Sequence, residues 1–448
     1  MKLDEIVHAT IPIRGGGEVI LLNTGAIIGP EAEAMLQALH SRSVGGLKSH
    51  LEVLSERGPE NFMKNFYVGY GHKSIGDCGT ITLFIEGVSM LAAKAIQDWP
   101  LYSGQEASTR YIDFKIQPLK NPLGTKDGTE ILEAWRKFYQ DAMEETKEYL
   151  KNKFPMQADE AGAIYDKAIN ARAFDALRGF LPSGATTNLA WHTNLRQAAD
   201  KVALLRHHPL QEVRDISEAI EKTLTVSYPN SFGHKRYEAT ENYNAMWMKD
   251  SYYHHDKNCP DFKLAKNNVD ISLLDEKVLN DRPAKTELPK HLAEAGTLQF
   301  EFTLDFGSFR DIHRHRAVTQ RMPLLTTELG FESWYLEEVP KSVKDRAAIF
   351  LEEQEEKIAN LNTTKEIAQY YTAMGYKTAN RLTGNLPALV YLVELRATRF
   401  VHPTLRKRAL EISETLVKEF SKNGLKIHID AEPDRFDVKR GEHDIVLK

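Results

Sequence analysis

Two stretches of this 448-residue chain alternate apolar and polar side chains with the period of a strand. One is Thr80-Ile81-Thr82-Leu83-Phe84-Ile85; the other is Leu298-Gln299-Phe300-Glu301-Phe302-Thr303-Leu304. Successive strand side chains point to opposite faces, so such alternation predicts one apolar face for a core and one polar face. A glycine follows each stretch, Gly87 and Gly307, and then a helical pattern. That pattern places Val88, Leu91, Ala92 and Ile96 on one helix face, and Phe309 and Ile312 on another. Helical periodicity dominates elsewhere: residues 129–153, 341–361 and 404–423 are charged and helix-prone. Residues 226–290 carry Pro229, Asn230, Gly233, Pro260, Asn267, Asn268 and Pro283, and read as the most loop-like region. The class predicted is α/β (α+β), with mixed sheets packed against long helices.

The two strand–helix units read as one element used twice. Asp77-Cys-Gly-Thr-Ile-Thr-Leu-Phe-Ile-Glu-Gly-Val-Ser89 parallels Glu294-Ala-Gly-Thr-Leu-Gln-Phe-Glu-Phe-Thr-Leu-Asp-Phe-Gly-Ser308. A second pair lies in the same order: Asn194-Leu-Arg-Gln before Leu204-Leu-Arg206, and Asn385-Leu-Pro-Ala before Glu394-Leu-Arg396. Matched order at two sites predicts an internal duplication, with copies at 1–230 and 231–448.

The formal net charge of −5, with 42% hydrophobic and 27% charged residues, is globular and argues against a coat for nucleic acid or an anionic membrane. Two cysteines, Cys78 and Cys259, cannot build a disulfide framework. No apolar run reaches the ~18 residues of a membrane span, and Met1-Lys2-Leu3-Asp4-Glu5 has no apolar signal core. The expectation is a soluble, cytoplasmic protein.

Three constellations carry candidate chemistry. Ser103-Gly-Gln-Glu106-Ala107-Ser108-Thr109-Arg110-Tyr111 suits a loop around a phosphorylated sugar, with hydroxyls and backbone N–H groups donating to phosphate and Arg110 adding a charge-assisted pair; it equally suits a polar turn with a salt bridge. Arg310-Asp-Ile-His313-Arg314-His315-Arg316 packs three arginines and two histidines into seven positions. Such a cluster either holds an anion or is a surface patch paired with Glu328, Glu332 and Glu337. Arg178, Asn194, Arg196 and Arg206 interrupt an otherwise apolar helical pattern, where an arginine must find a partner, so Arg196 and Arg206 are expected to point into a site or an interface. Arg396 and Asn385 read as the counterparts of Arg206 and Asn194. His207-His208 before Pro209 reads as a solvated helix end, and His254-His255 with Cys259 fits no closed zinc site.

On these residues the chain resembles the flavin-dependent thymidylate synthases. That family joins a His-x-Ser lead-in, an Arg-His-Arg cluster, a Ser-x-x-Glu-x-Ser-x-Arg-Tyr loop and a late Leu-Pro…Asn-x-Arg…Leu-Arg helix. Copy one has His72 and Ser74, the loop from Ser103 to Tyr111, Arg178 before Leu181-Pro182, and Asn194, Arg196 and Arg206. It has Asp98-Trp99-Pro100 in place of Arg-His-Arg. Copy two keeps Arg314-His315-Arg316, but reads Thr319-Gln-Arg-Met-Pro323 instead of the loop and Pro387 instead of the Asn-x-Arg arginine.

The resemblance implies reductive methylation of dUMP to dTMP, with methylene-tetrahydrofolate, NADPH and FAD. It implies that Ser103, Glu106, Ala107, Ser108, Thr109 and Arg110 bind dUMP together with Arg178 and Arg206, the last two also stabilising charge that develops on the pyrimidine. It implies flavin contacts from His72, Ser74, Asn194, Arg196, Arg314, His315, Arg316 and Arg396, and no metal. Family members are tetramers with shared sites, so a tandem chain implies a dimer with sites composed from both copies. The alternatives are a flavin enzyme acting on another pyrimidine nucleotide and a non-catalytic nucleotide- or flavin-binding relative.

Overall fold

The computed structural model describes residues 8–22, 28–42, 47–69, 73–109, 112–158 and 160–430. The chain forms two compact units, one from residues 1–112 with 186–252 and one from 113–185 with 253–448. These are not the contiguous halves on either side of residue 230. Residues 113–185 group with the second unit because their helices bury their apolar faces there.

The first unit is built on strands β1 (His8–Pro12), β2 (Glu18–Leu22), β3 (Thr80–Ser89), β4 (Ser103–Glu106) and β5 (Thr186–Asn194), in the order β1-β2-β3-β5-β4 with antiparallel neighbours. Helices α1 (Pro30–Arg42), α2 (Leu47–Arg57), α3 (Glu60–Phe62) and α4 (Lys73–Gly76) precede β3. Helix α5 (Met90–Gln97) follows it, with Ser89 as N-cap accepting from the Ala92 N–H at 3.0 Å. The strand predicted at 80–85 runs on to Ser89, because Gly87 lies inside it and not after it. A bulge falls between Ile85 and Val88, and Gly87 supplies its positive φ of 66°. Helices α8 (Leu195–Leu205) and α9 (Gln211–Ser227) follow β5.

The second unit repeats this plan. Strands β7 (Phe262–Asn267), β8 (Thr297–Asp305), β9 (Thr319–Gln320) and β11 (Lys377–Asn385) form an antiparallel sheet in the order β7-β8-β11-β9. A parallel pair, β6 (Tyr253–His254) with β10 (Met322–Pro323), is added, so both pairing senses occur. Helix α12 (Phe306–Ile312) follows β8, with Asp305 as its N-cap, and α16 (Leu386–Arg396) and α17 (Pro403–Phe420) follow β11. Strand order, connection and capping match β2-β3-β5-β4 with α5, α8 and α9. The α/β expectation and the two related sheet groups are therefore present.

Helices α6 (Lys126–Lys153) and α7 (Gly162–Leu177) belong to the second unit, with α13 (Ser333–Glu337), α14 (Lys341–Ala359) and α15 (Lys365–Ala368). Trp135 on α6 is fully buried, donates its Nε1–H to the Tyr371 carbonyl at 2.8 Å, and meets Phe350 of α14 edge-on. Phe138 stacks on Phe350 with centroids 4.6 Å apart. Leu150, Tyr165, Ile169 and Ala173 close the α6–α7 contact. The 226–290 stretch is more ordered than its composition suggests: α10 (Glu238–Ser251), β7 and α11 (Glu276–Asp281) lie within it.

Candidate functional site

Residues 178–194 and 369–385 fall into the same order of elements: a 3-10 turn (Arg178–Phe180, Gln369–Tyr371), then a nine-residue strand ending on an asparagine N-cap. Asn194 and Asn385 each accept from the backbone N–H three residues on, at 2.8 and 3.0 Å. The helices that follow are both 11 residues long. Arg206 is therefore the C-cap after α8, whereas Arg396 is the last residue within α16. The two arginines are one position out of step: Arg396 corresponds to Leu205, and Arg206 to Ala397. They point to different surroundings, which corrects the pairing read from the sequence.

In the first unit, Arg206 pairs with Glu241 at 3.2 Å and Glu221 at 3.5 Å, beside His207, which also meets Glu241 at 2.9 Å. It lines an open groove of about 660 Å3 with Arg214, Glu218, Lys222 and Arg236. Arg196 pairs with Asp77 at 2.7 Å and Asp200 at 3.7 Å. Ser74 lies on α4, and its carbonyl accepts from the Cys78 thiol. His72, Arg110 and Tyr111 lie outside the described residues.

The segment from Ser103 begins as a strand, not a loop: Ser103 faces His192 and Glu106 faces Leu189 across β5. Ala107 N–H donates to the Asn188 carbonyl at 2.8 Å, extending the ladder by one bond. Ser108 is exposed and Thr109 buried. Glu106 accepts from Lys94 Nζ at 2.9 Å and from Gln97 Nε2 at 2.9 Å. Lys94, on the otherwise apolar α5, is 1% exposed. An ammonium so deeply buried needs a carboxylate, and this one ties β4 to α5. An isolated lysine amid Met90, Leu91, Ala92 and Ile96 was the available signal for it.

At Asp98-Trp99-Pro100 the first unit closes the end of α5 with its own side chains. Trp99 Nε1–H donates to Gln197 at 2.7 Å. Lys201 Nζ donates to the Asp98 carbonyl at 2.7 Å and lies 5.7 Å from the Trp99 ring centre. Burial pulls the Lys201 pKa down to about 8. His208 is not solvated: it is fully buried, accepts from the Leu210 N–H at Nδ1 and packs edge-on to Tyr252. Burial, aided by Lys201, presses its pKa to about 3.

In the second unit the cationic cluster divides by position. His313 is the C-cap of α12 and is buried, as is His315, whereas Arg314 and Arg316 stand exposed. Glu328 pairs with Lys365 and His255, and Glu332 caps α13 by accepting from the Trp334 N–H. Arg396 Nε donates to His315 Nε2 at 2.7 Å, and its Nη2 to the Asp311 carbonyl at 3.1 Å. Burial, then Arg396 and Arg314, press the His315 pKa to about 3.

Arg178 joins this unit. Its Nη2 donates to Ser308 Oγ at 3.3 Å, and its Nη1 lies 3.9 Å from Asp311. Ser308 Oγ also meets Thr404 at 2.7 Å and His402 Nδ1 at 3.3 Å. Asp305 accepts from Tyr335 O–H at 2.7 Å and from Ser308 N–H at 2.9 Å. Arg178 is 8% exposed, its Nε has no hydrogen-bond partner among the described residues, and Asp305 Oδ1 is likewise unsatisfied. Surrounding carboxylates and Tyr335 outweigh burial and hold the guanidinium charged. A residue of the first sequence half thus meets the cluster-bearing helix of the second. Sequence reasoning missed His402, Thr404, Ser308 and Tyr335 around it; the repeated His-Pro at 208–209 and 402–403 was the available signal.

The donor set fits a flavin dinucleotide in one respect: two exposed guanidiniums flank a neutral imidazole, which suits a diphosphate. Among the described residues no group of His, Cys, Asp and Glu could hold a metal ion, and no helix is long and apolar enough to cross a membrane.

The chain is 24% identical over 417 residues to a UPF0159 protein of Chlamydia muridarum, covering 80% of this chain and 78% of that one. It is 23% identical over 419 residues to a UPF0159 protein of Chlamydia pneumoniae, with the same coverage. A UPF0159 protein of Thermoplasma acidophilum is 21% identical over 435 residues, covering 80% of this chain and 86% of its own. Residues 30–230 match the model of the thymidylate synthase complementing protein family. Through residues 30–230 the chain is thus similar to the thymidylate synthase complementing protein family.

Proposed function

We propose that the protein is an FAD-dependent thymidylate synthase, converting dUMP to dTMP with methylene-tetrahydrofolate and NADPH. The observation that supports this reading is Arg178: a family-matched arginine of the first sequence half that lies against Ser308 and Asp311 on the helix leading into Arg314-His315-Arg316. The motif sets of the two halves are complementary, and the reading needs both.

In this reading the flavin, when bound, supplies hydride chemistry. Arg314 and Arg316 hold its diphosphate, with Arg396, His315, His72, Ser74, Asn194 and Arg196 as further flavin contacts. Ser103, Glu106, Ala107, Ser108, Thr109 and Arg110 hold the nucleotide. Arg178 and Arg206 stabilise negative charge on the pyrimidine. The chain acts as a dimer, the equivalent of the family's tetramer, in the cytoplasm.

The test is dTMP formation from dUMP with labelled methylene-tetrahydrofolate, together with rescue of a thymidine-requiring strain. Protein that is yellow as purified but gives no rescue points to another pyrimidine nucleotide as substrate. Arg314→Ala should strip most of the visible flavin absorbance, while Arg110→Ala should weaken dUMP binding and leave that absorbance largely intact. Unchanged FAD content in Arg314→Ala overturns the flavin assignment. A second reading, a non-catalytic nucleotide- or flavin-binding relative, is favoured by the carboxylate pairs that already engage Arg196 and Arg206. Colourless protein that binds dUMP supports it.

A further inference from the structure

We infer that Arg396 is a positioning residue that fixes one tautomer of His315, making this imidazole a hydrogen-bond donor through Nδ1 and never a general base. The inference deepens the proposed function and rests on it for the ligand, but the hydrogen-bond geometry carries it. An arginine Nε always bears a proton and can only donate. Here it donates to His315 Nε2 at 2.7 Å, so Nε2 must present its lone pair. The ring proton is then on Nδ1, and a second proton has no place to go without breaking the contact.

The arginine is itself anchored. Its Nη2 donates to the Asp311 carbonyl at 3.1 Å, in the last turn of α12, so one guanidinium spans the end of that helix and the imidazole beyond it. Tyr391, five residues earlier on α16, meets the ring edge-on at 6.0 Å between centroids. The charged and titratable groups that face His315 are Arg314 on its own segment and Arg396 and Tyr391 from α16. Two of these are cations, and burial acts in the same direction, so all three effects disfavour imidazolium. The matching position of the first unit is Leu205, which cannot donate; the lock belongs to the cluster-bearing copy alone.

A neutral imidazole offers only its Nδ1–H to an acceptor such as a phosphate or flavin carbonyl oxygen. His315 itself then adds no charge between pH 8 and pH 5, and the cations beside it are Arg314 and Arg396.

The test is long-range proton–nitrogen NMR on full-length protein labelled at histidine nitrogen, with His315 assigned by the signals lost in His315→Asn. In the wild type His315 should show the Nδ1–H neutral pattern from pH 8 to pH 5. In Arg396→Leu its titration midpoint should rise by at least one pH unit. In Arg396→Lys, which keeps a donor and guards against misfolding of the leucine variant, the neutral Nδ1–H form should persist. A wild-type ring protonated at Nε2, or one with a midpoint near 6.5, overturns the inference. So does an Arg396→Leu midpoint equal to the wild type's. Flavin content and dTMP formation are read separately on the same samples, so loss of the proposed function would leave this result standing.

Discussion

A single buried cation ties the end of β4 to α5. Lys94 is buried on α5, and its ammonium meets Glu106 at the end of β4. Removing it leaves a largely buried carboxylate without its ammonium. Lys94→Met should cost about 3 kcal/mol in urea unfolding and, under the proposed function, weaken dUMP binding in calorimetry, because Ser108 and Thr109 lie two and three residues beyond Glu106. The buried histidine nearby carries a pH signature. His208 has its pKa pressed to about 3 in the folded chain, against about 6.5 when unfolded. As pH falls from about 6.5 towards 3, the unfolded state takes up a proton that the native state refuses. Stability is then lost at about 1.4 kcal/mol per pH unit per such group. His208→Asn, which keeps an acceptor for the Leu210 N–H, should flatten the decline of the urea midpoint between pH 7 and pH 4. Neither residue was legible as such: a lone lysine in an apolar helix and a histidine before proline each fit a surface as well as a core until the packing is known.

At the scale of elements the sequence was more informative. The two alternating strands and the three long helical stretches lie where periodicity puts them, since burial of one face is what periodicity records. What periodicity could not give was the bulge. Gly87 was read as the strand's end, yet it sits within β3, at positive φ, with its Cβ direction 3.1 Å from Gly17 Cα. The extra residue makes β3 ten residues long against nine in β8, while β5 and β11 are equal. Gly87→Ala should therefore destabilise the first unit by about 2 kcal/mol, measured as a fall in urea midpoint, whereas Gly15→Ala has open space around its Cβ and only the φ term. The repeat was likewise visible in the Asn-Leu and Leu-Arg signatures, but the one-residue offset between Arg206 and Arg396 was not. It depends on where each helix ends, and an Arg at a last turn and an Arg at a C-cap look alike in a sequence.

For the whole molecule, the compact units cut across chain order. Both helical inserts, α6–α7 and α14–α15, group with one sheet, as aromatic packing of Trp135 and Phe138 on Phe350 requires. Composition could not foresee this, because an amphipathic helix specifies that it must be covered and not by what. Separate production of residues 1–230 should consequently yield a poorly folded fragment, seen as a broad, low-enthalpy calorimetric transition, since 113–185 would be parted from the core that buries them.

The closure at the end of α5 bears on loading. Trp99 is moored to Gln197, and Lys201 is moored to the Asp98 carbonyl, in the very place where the sister lobe carries its paired guanidiniums. A dinucleotide arriving there would confront an indole wedge and a carbonyl already spoken for. Under the proposed function, spectrophotometric titration with FAD should accordingly reach its plateau at one equivalent per polypeptide and not at two.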